Sequence, residues 1–290
     1  MYPAPFEYHA PDTVKEALAL LDKYQDDCKV LAGSQSLVAL MKLRLAQPAH
    51  LIDLRKLPGM VGISESGGTL QIGALTTHRA VESSQLVRSR LPVLAEAAAQ
   101  IGDAQVRNMG TIGGSLAHAD PAADYPAVGV ALDASVQIVS ARGERSLKVD
   151  QLITGPLSTT LAPGEILTQV RVILPTGRTG SAYEKLPHSA SHFAIVGVAA
   201  AVALDAKGNV QASRVAITGL ASKVVRAGWV EQALQGKAPD AAALKSAAAR
   251  AAERLELRAD LIGSADYKAN LAAVYTERAL KRAVARALEK

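Results

Sequence analysis

Two short segments of small residues carry the types and spacing that could do chemistry. They are Leu31-Ala32-Gly33-Ser34-Gln35-Ser36 and Asn108-Met109-Gly110-Thr111-Ile112-Gly113-Gly114-Ser115. Each offers backbone N–H groups that few side chains crowd, together with hydroxyls that can donate. That is the chemistry needed to hold phosphate oxygens. Two such loops in one domain could clamp both phosphates of a dinucleotide from opposite sides. Neither is a Walker loop, since no Gly-Lys-Ser/Thr follows, and neither carries the G-x-G-x-x-G fingerprint.

The residues around them leave little room for other chemistry. His118, Asp120 and Asp124 make a thin metal constellation, with no second histidine nearby. Asp124 stands at the start of a helical pattern, where it could cap or accept from ribose or ribityl hydroxyls. Arg107 could balance a phosphate or pin the second loop. Tyr183 and Phe193 stand out as rings that could touch a flat cofactor, or pack in the core. The single cysteine, Cys28, reads as a small core residue, and one cysteine cannot ligate an iron–sulfur cluster. No nucleophile–base pair or G-x-S-x-G elbow is present. A dinucleotide clamp without acid–base machinery suggests redox work done by a cofactor.

The elements that must position these loops follow from periodicity. Thr13-Val14-Lys15-Glu16 is a capping box that opens an amphipathic helix. Residues 29–32 read as a strand, 37–45 as a helix and 51–54 as a strand, which makes a small β-α-β unit around the first loop. Strands are expected at 70–74, 136–140 and 165–173, a short helix from Thr77, and helices at 92–101 and from about Pro121 to Leu132. Residues 102–115 look too glycine-rich and polar to be helical. Pro175, Gly177 and Gly180 break the chain. Beyond them, 194–204 and 212–219 read as paired strands joined at Gly208-Asn209, with long helices at 240–257 and 267–288.

The 290 residues suit roughly two domains. Hydrophobic residues make up 49%, enough for full cores, while aromatics make up only 3%. So few rings argue against a base-stacking nucleic-acid surface, despite a net charge of +5. There is no apolar run long enough to span a membrane and no charged leader at the start, so a cytoplasmic protein is expected.

The two loops and their flanks resemble a known family. Ala32-Gly33-Ser34-Gln35-Ser36, followed by Leu51-Ile52-Asp53-Leu54, looks like the A-G-G-x-S segment of the FAD-binding medium subunits of molybdenum hydroxylases. Within that family, the segments resemble those of the aerobic carbon monoxide dehydrogenases. Gln105 to Ser115 looks like their second signature. Asp120-Pro121, Asp124, Tyr183-Glu184-Lys185-Leu186 and the C-terminal Tyr267 to Leu280 also fit. The resemblance implies an α+β fold. Its FAD-binding domain would be of the vanillyl-alcohol-oxidase (PCMH) type, covering 1–175 with subdomains of about 1–56 and 57–175. A C-terminal domain at 180–290 would add a small antiparallel sheet and a helical bundle.

It further implies FAD held at the pyrophosphate by Ala32, Gly33, Ser34, Gln35 and Ser36 and by Thr111, Ile112, Gly113, Gly114 and Ser115. Asp124 would bind the sugar-like part, and Lys185 and Phe193 would lie near the isoalloxazine. The partners implied are a large molybdenum-cofactor subunit and a small subunit with two [2Fe–2S] clusters, assembled as a dimer of heterotrimers. Electrons would leave through FAD to an external acceptor, with NAD, a quinone and O₂ all open, and the complex could sit at the inner face of the membrane. The family usually has glycine at position 34. If that position needs φ > 0, serine costs about 1 kcal/mol or more. The alternatives are a stand-alone flavin oxidoreductase of the same fold superfamily and a non-catalytic nucleotide-binding protein.

Overall fold

The computed structural model describes residues 2–257 and 259–290. Fourteen strands and twelve α-helices are defined in it. A three-stranded parallel sheet opens the chain, with β1 (Glu7–His9), β2 (Cys28–Leu31) and β3 (His50–Asp53) in the order β1-β3-β2. Helix α1 (Val14–Tyr24) precedes β2. It is capped by Thr13, whose hydroxyl accepts from the Glu16 N–H at 3.1 Å, and it buries Ala17 and Leu21. Helix α2 (Leu37–Lys42) follows the first loop and is shorter than the pattern suggested.

A five-stranded antiparallel sheet follows, in the order β4-β5-β10-β6-β7. Its strands are β4 (Ile63–Ser66), β5 (Thr69–Gly73), β6 (Ser135–Ser140), β7 (Gly143–Lys148) and, after the small hairpin β8 (Ile153–Gly155) and β9 (Ser158–Thr159), β10 (Ile166–Ile173). Between β5 and β6 run six short helices: α3 (His78–Ser83), α4 (Gln85–Arg90), α5 (Pro92–Ala99), α6 (Ala104–Met109), α7 (Ile112–His118) and α8 (Asp124–Ala131). One continuous apolar core joins both sheets, from Ala17 and Ile52 through Leu70 and Ile72 to Val136, Ile138 and Val170.

The expectation of a non-helical 102–115 is corrected here, since α6 and α7 occupy most of it. Gly113 and Gly114 cost α7 helix stability, while α6 holds no glycine and is flanked by Gly102 and Gly110. Capping offsets part of that: Asp103 accepts from the Val106 N–H at 2.8 Å, and Thr111 accepts from the Gly114 N–H at 3.1 Å. The helix expected from Pro121 begins instead at Asp124, because Asp120 turns the chain by accepting from the Ala122 N–H at 2.8 Å.

A second core lies beyond Leu174. Strands β11 (Thr179–Pro187), β12 (Ala194–Leu204), β13 (Val210–Thr218) and β14 (Val225–Arg226) form an antiparallel sheet in sequence order. Three helices follow α9 (Val149–Leu152): α10 (Gly228–Leu234), α11 (Ala241–Ala249) and α12 (Ala265–Leu288). The alanine stripe of α12 lets it lie close on the sheet, so that a Cβ at Gly180 would overlap the Ala283 carbonyl. Helix α11 ends well before Leu257, where the Trp229 indole donates to the Arg250 carbonyl at 2.7 Å. Glu96 of α5 ties the two halves together. It pairs with Arg282 at 2.9 Å and with Arg286, both on α12.

Candidate functional site: two loops in direct contact

The chain leaves β2 into residues 32–36, and this first loop lies directly against the second. Gly33 has no space for a side chain: a Cβ there would overlap the Met109 carbonyl oxygen and stand 2.6 Å from Gly110 Cα. Sequence spacing could not show this contact. Among the described residues, no protein group accepts from the N–H groups of Gly33, Ser34, Gln35 or Ser36. The Gln35 amide folds back to donate to the Gly33 carbonyl at 3.1 Å, and its side chain is exposed.

Ser34 adopts φ 63, the left-handed region that a glycine would occupy without strain. Its hydroxyl donates to the Ala32 carbonyl at 3.2 Å, a local bond that recovers part of the cost. Ser34→Gly is therefore expected to raise stability by about 1 kcal/mol and to keep FAD affinity at least unchanged. Chemical denaturation and FAD titration check both. A marked loss of affinity would assign the hydroxyl to the ligand instead.

The second loop spends its backbone donors inside the protein. Ile112 N–H donates to the Thr76 carbonyl at 3.1 Å, Gly113 N–H to Ala74 at 2.9 Å and Ser115 N–H to Thr111 at 3.0 Å. Gly113 faces the fold, where a Cβ would stand 2.5 Å from the Ala74 Cβ, while Gly114 turns toward the first loop, with Ala32 Cβ at 4.0 Å. Ile112 is buried; Gly114 and Ser115 are half-buried. What the second loop presents on the side of the first is thus Gly114.

Arg107 pins this loop. Its guanidinium donates to Glu82 at 3.1 Å and to the Ile101 and Gly102 carbonyls at 3.2 and 3.1 Å. Beneath the loop lies a residue that sequence reasoning missed. His78 is buried, and its Nε2 would stand 2.5 Å from a Cβ on Gly110. Burial, helped by the Arg107 charge, pushes the His78 imidazole down to about 4. Unfolded histidine takes up its proton near 6.5, so stability is fully present above that value and falls as pH drops toward 4. The loss is on the order of 3 kcal/mol. Denaturation midpoints across this range should fall in the wild type and stay nearly flat in His78→Gln.

Asp124 and Lys185 come together as a buried pair. Lys185 Nζ lies 2.8 Å from Asp124 Oδ1 and 2.9 Å from Oδ2, and donates to the Gln100 carbonyl at 2.9 Å. The Tyr183 hydroxyl donates to Asp124 Oδ1 at 2.6 Å. Tyr183 is fully buried, so it is no ring for a cofactor face, and Gly197 leaves it the room it fills. Burial pushes the Asp124 carboxyl up against the opposing pull of Lys185 and Tyr183. Both oxygens of Asp124 are thus engaged by the protein. Phe193 is different: it is 42% exposed, beside a tight turn in which the His188 N–H donates to its carbonyl at 2.8 Å. The next residue, Ala194, donates to the Ala122 carbonyl at 3.1 Å, which brings the ring's strand to the segment after α7.

Residues 4–176 match the family described as the FAD binding domain in molybdopterin dehydrogenase, and 181–283 match the CO dehydrogenase flavoprotein C-terminal domain. The chain belongs to this family. It is 43% identical to the carbon monoxide dehydrogenase medium chain of Hydrogenophaga pseudoflava, over 99% of each chain. The solved carbon monoxide dehydrogenase from that organism, which lacks the Mo-pyranopterin moiety, superposes with a TM-score of 0.95 at 44% identity over 99% of each chain. The 6-hydroxypseudooxynicotine dehydrogenase complex subunit alpha of Paenarthrobacter nicotinovorans is 38% identical over 99% of this chain and 97% of its own. The chain is therefore an FAD-binding medium subunit, the flavoprotein part of an oxidoreductase, with the α+β architecture of that family. Open N–H groups on the first loop and a half-exposed Phe193 fit a dinucleotide with a flat ring system. Among the described residues, no helix is long and apolar enough to cross a membrane.

Proposed function

We propose that this chain is the FAD-carrying electron-transfer subunit of a heterotrimeric molybdenum hydroxylase. It would stand between iron–sulfur clusters of a small subunit and an external acceptor, with the molybdenum cofactor on a large subunit. The observation that carries this is the close apposition of residues 32–36 and 110–115, with unsatisfied backbone donors on one side. Bound FAD supplies the electron-carrying chemistry. The chain's own residues then do three things. Residues 33–36, with Thr111, Gly114 and Ser115, receive the pyrophosphate. Phe193 lies against the ring system. The Asp124–Lys185–Tyr183 network holds the wall between the two domains, taken here as 1–175 and 180–290, and acts from behind the cofactor. Neither loop contains a histidine or cysteine for covalent flavin attachment.

The test is an absorption spectrum of the purified chain with and without added FAD, with the ligand released on denaturation identified by mass. Oxidised-flavin bands and FAD at about one per chain are expected, and flavin should also be reduced by the assembled complex on substrate addition. A chain that takes up no FAD, alone or in the assembled complex, overturns the reading.

A further inference from the structure

We propose that Glu7, His9 and His50 form a site for one divalent transition-metal ion of the zinc class. Glu7 and His9 are two residues apart on β1 and so point to one face of the sheet. The parallel register pairs Glu7 with His50 of β3, which brings the third side chain to that face. His9 Nε2 and His50 Nδ1 stand 3.1 Å apart, and a Glu7 carboxylate oxygen lies 3.5 Å from His50 Nδ1 and 3.9 Å from His9 Nε2. Ligand atoms about 2.0–2.1 Å from a tetrahedral zinc are roughly 3.3 Å apart. The three atoms already approach the triangle that such an ion requires.

The chemistry is also right. Two imidazoles and one carboxylate are a recurrent donor set for zinc and for other imidazole-binding metals, with a fourth position left to water. The rings are held in place before any ion arrives. Tyr24, the last residue of α1, stacks on His50 at 3.7 Å between centroids and on His9 at 5.0 Å. Lys23 lies over the Tyr24 ring at 4.7 Å, while the Glu7 carboxylate reaches into solvent. The histidines are 41 residues apart in sequence, so spacing alone does not reveal the site. The cluster lies toward the N-terminal end of the parallel sheet, whereas the phosphate loop leaves its other end. Three residue steps along β3, roughly 10 Å, separate His50 from Asp53, the partner of Leu31 where that loop begins. An ion here would clip the three-residue edge strand β1 to β3, a stabilising role separate from the cofactor.

The experiment is equilibrium dialysis of the purified full chain against zinc chloride with metal analysis, followed by substitution with cobalt chloride. The expected result is about one zinc per chain, the visible absorption of four-coordinate cobalt, and a thermal midpoint raised by zinc, because ligand binding to the folded state alone stabilises it. His9→Ala and His50→Ala should lose the stoichiometric zinc. Glu7→Gln, a change at an exposed side chain with little bearing on folding, should weaken zinc at least tenfold. FAD content should be the same in all four proteins. Substoichiometric zinc in the wild type, or zinc retained with equal affinity by Glu7→Gln and either histidine variant, overturns the proposal.

Discussion

Lys185→Met is expected to destabilise the chain by about 3–5 kcal/mol, as breaking a buried ion pair from one side generally does. The Lys185 ammonium is wholly enclosed and is bonded to both oxygens of Asp124 and to the Gln100 carbonyl. Removing it leaves a buried carboxylate that keeps the Tyr183 hydroxyl and a backbone N–H but has lost its counter-charge. Such a loss is a large share of the marginal stability of a domain. Adding Asp124→Asn should recover part of it, because the amide keeps an acceptor for Tyr183 and removes the orphaned charge. Guanidinium denaturation of the two single variants and the double variant measures the coupling. The pH dependence adds a second signature. Without Lys185, burial raises the Asp124 carboxyl further above its unfolded value. The folded state then holds the extra proton, and the deficit should shrink toward acid pH and grow as pH rises. A Lys185→Met effect under about 1 kcal/mol, or one independent of pH, would show that the pair does not hold this wall.

What could be read before the fold was known, and what could not, divides along physical lines. The β2–loop–α2–β3 unit was legible because an apolar run, a glycine and two serines each announce themselves locally. Strands β12 and β13, expected at 194–204 and 212–219 and found at 194–204 and 210–218, were legible because valines and alanines run on either side of the turn at Gly208-Asn209. Strands β1, β4 and β7 were missed. They are short or mostly polar, and their residues are largely exposed, so they hold their conformation by pairing with a neighbour rather than by burying a face. Helices α6 and α7 were missed for a related reason. The glycines inside α7 and on either side of the six-residue α6 oppose helix locally, and caps and bonds to the 74–78 segment reverse that preference. At the site, residue types singled out two segments that the structure brings into contact, and the positive φ raised as a condition for position 34 is the one Ser34 adopts. The burial of Tyr183 and the presence of His78 under Gly110 depend on which segments meet in space, and composition holds no trace of that.

The same distinction decides which glycine matters most to the cofactor. By its resemblance the sequence sets Gly113 among the residues that hold the pyrophosphate. The structure shows that a side chain there would run into Ala74, so Gly113→Val should fail first as a folding defect. Gly33→Ala is the sharper test. Its new methyl group would overlap the Met109 carbonyl and crowd Gly110 Cα, both backbone atoms that cannot rotate away. The two loops must separate, at a cost of about 1–3 kcal/mol typical of overpacking. If the loops bind the pyrophosphate only when apposed, that cost appears as lost FAD affinity of roughly 5- to 150-fold. Gly155→Ala is the matched control: its methyl would meet only the Ser158 Cβ at 3.9 Å, an ordinary contact. FAD titration of the two variants, alongside denaturation midpoints, separates the possibilities. Lost affinity with a modest stability change would place the pyrophosphate across the loop junction. Lost stability with FAD affinity intact would mean that the contact serves the fold alone, and the pyrophosphate would then have to be sought away from Gly33.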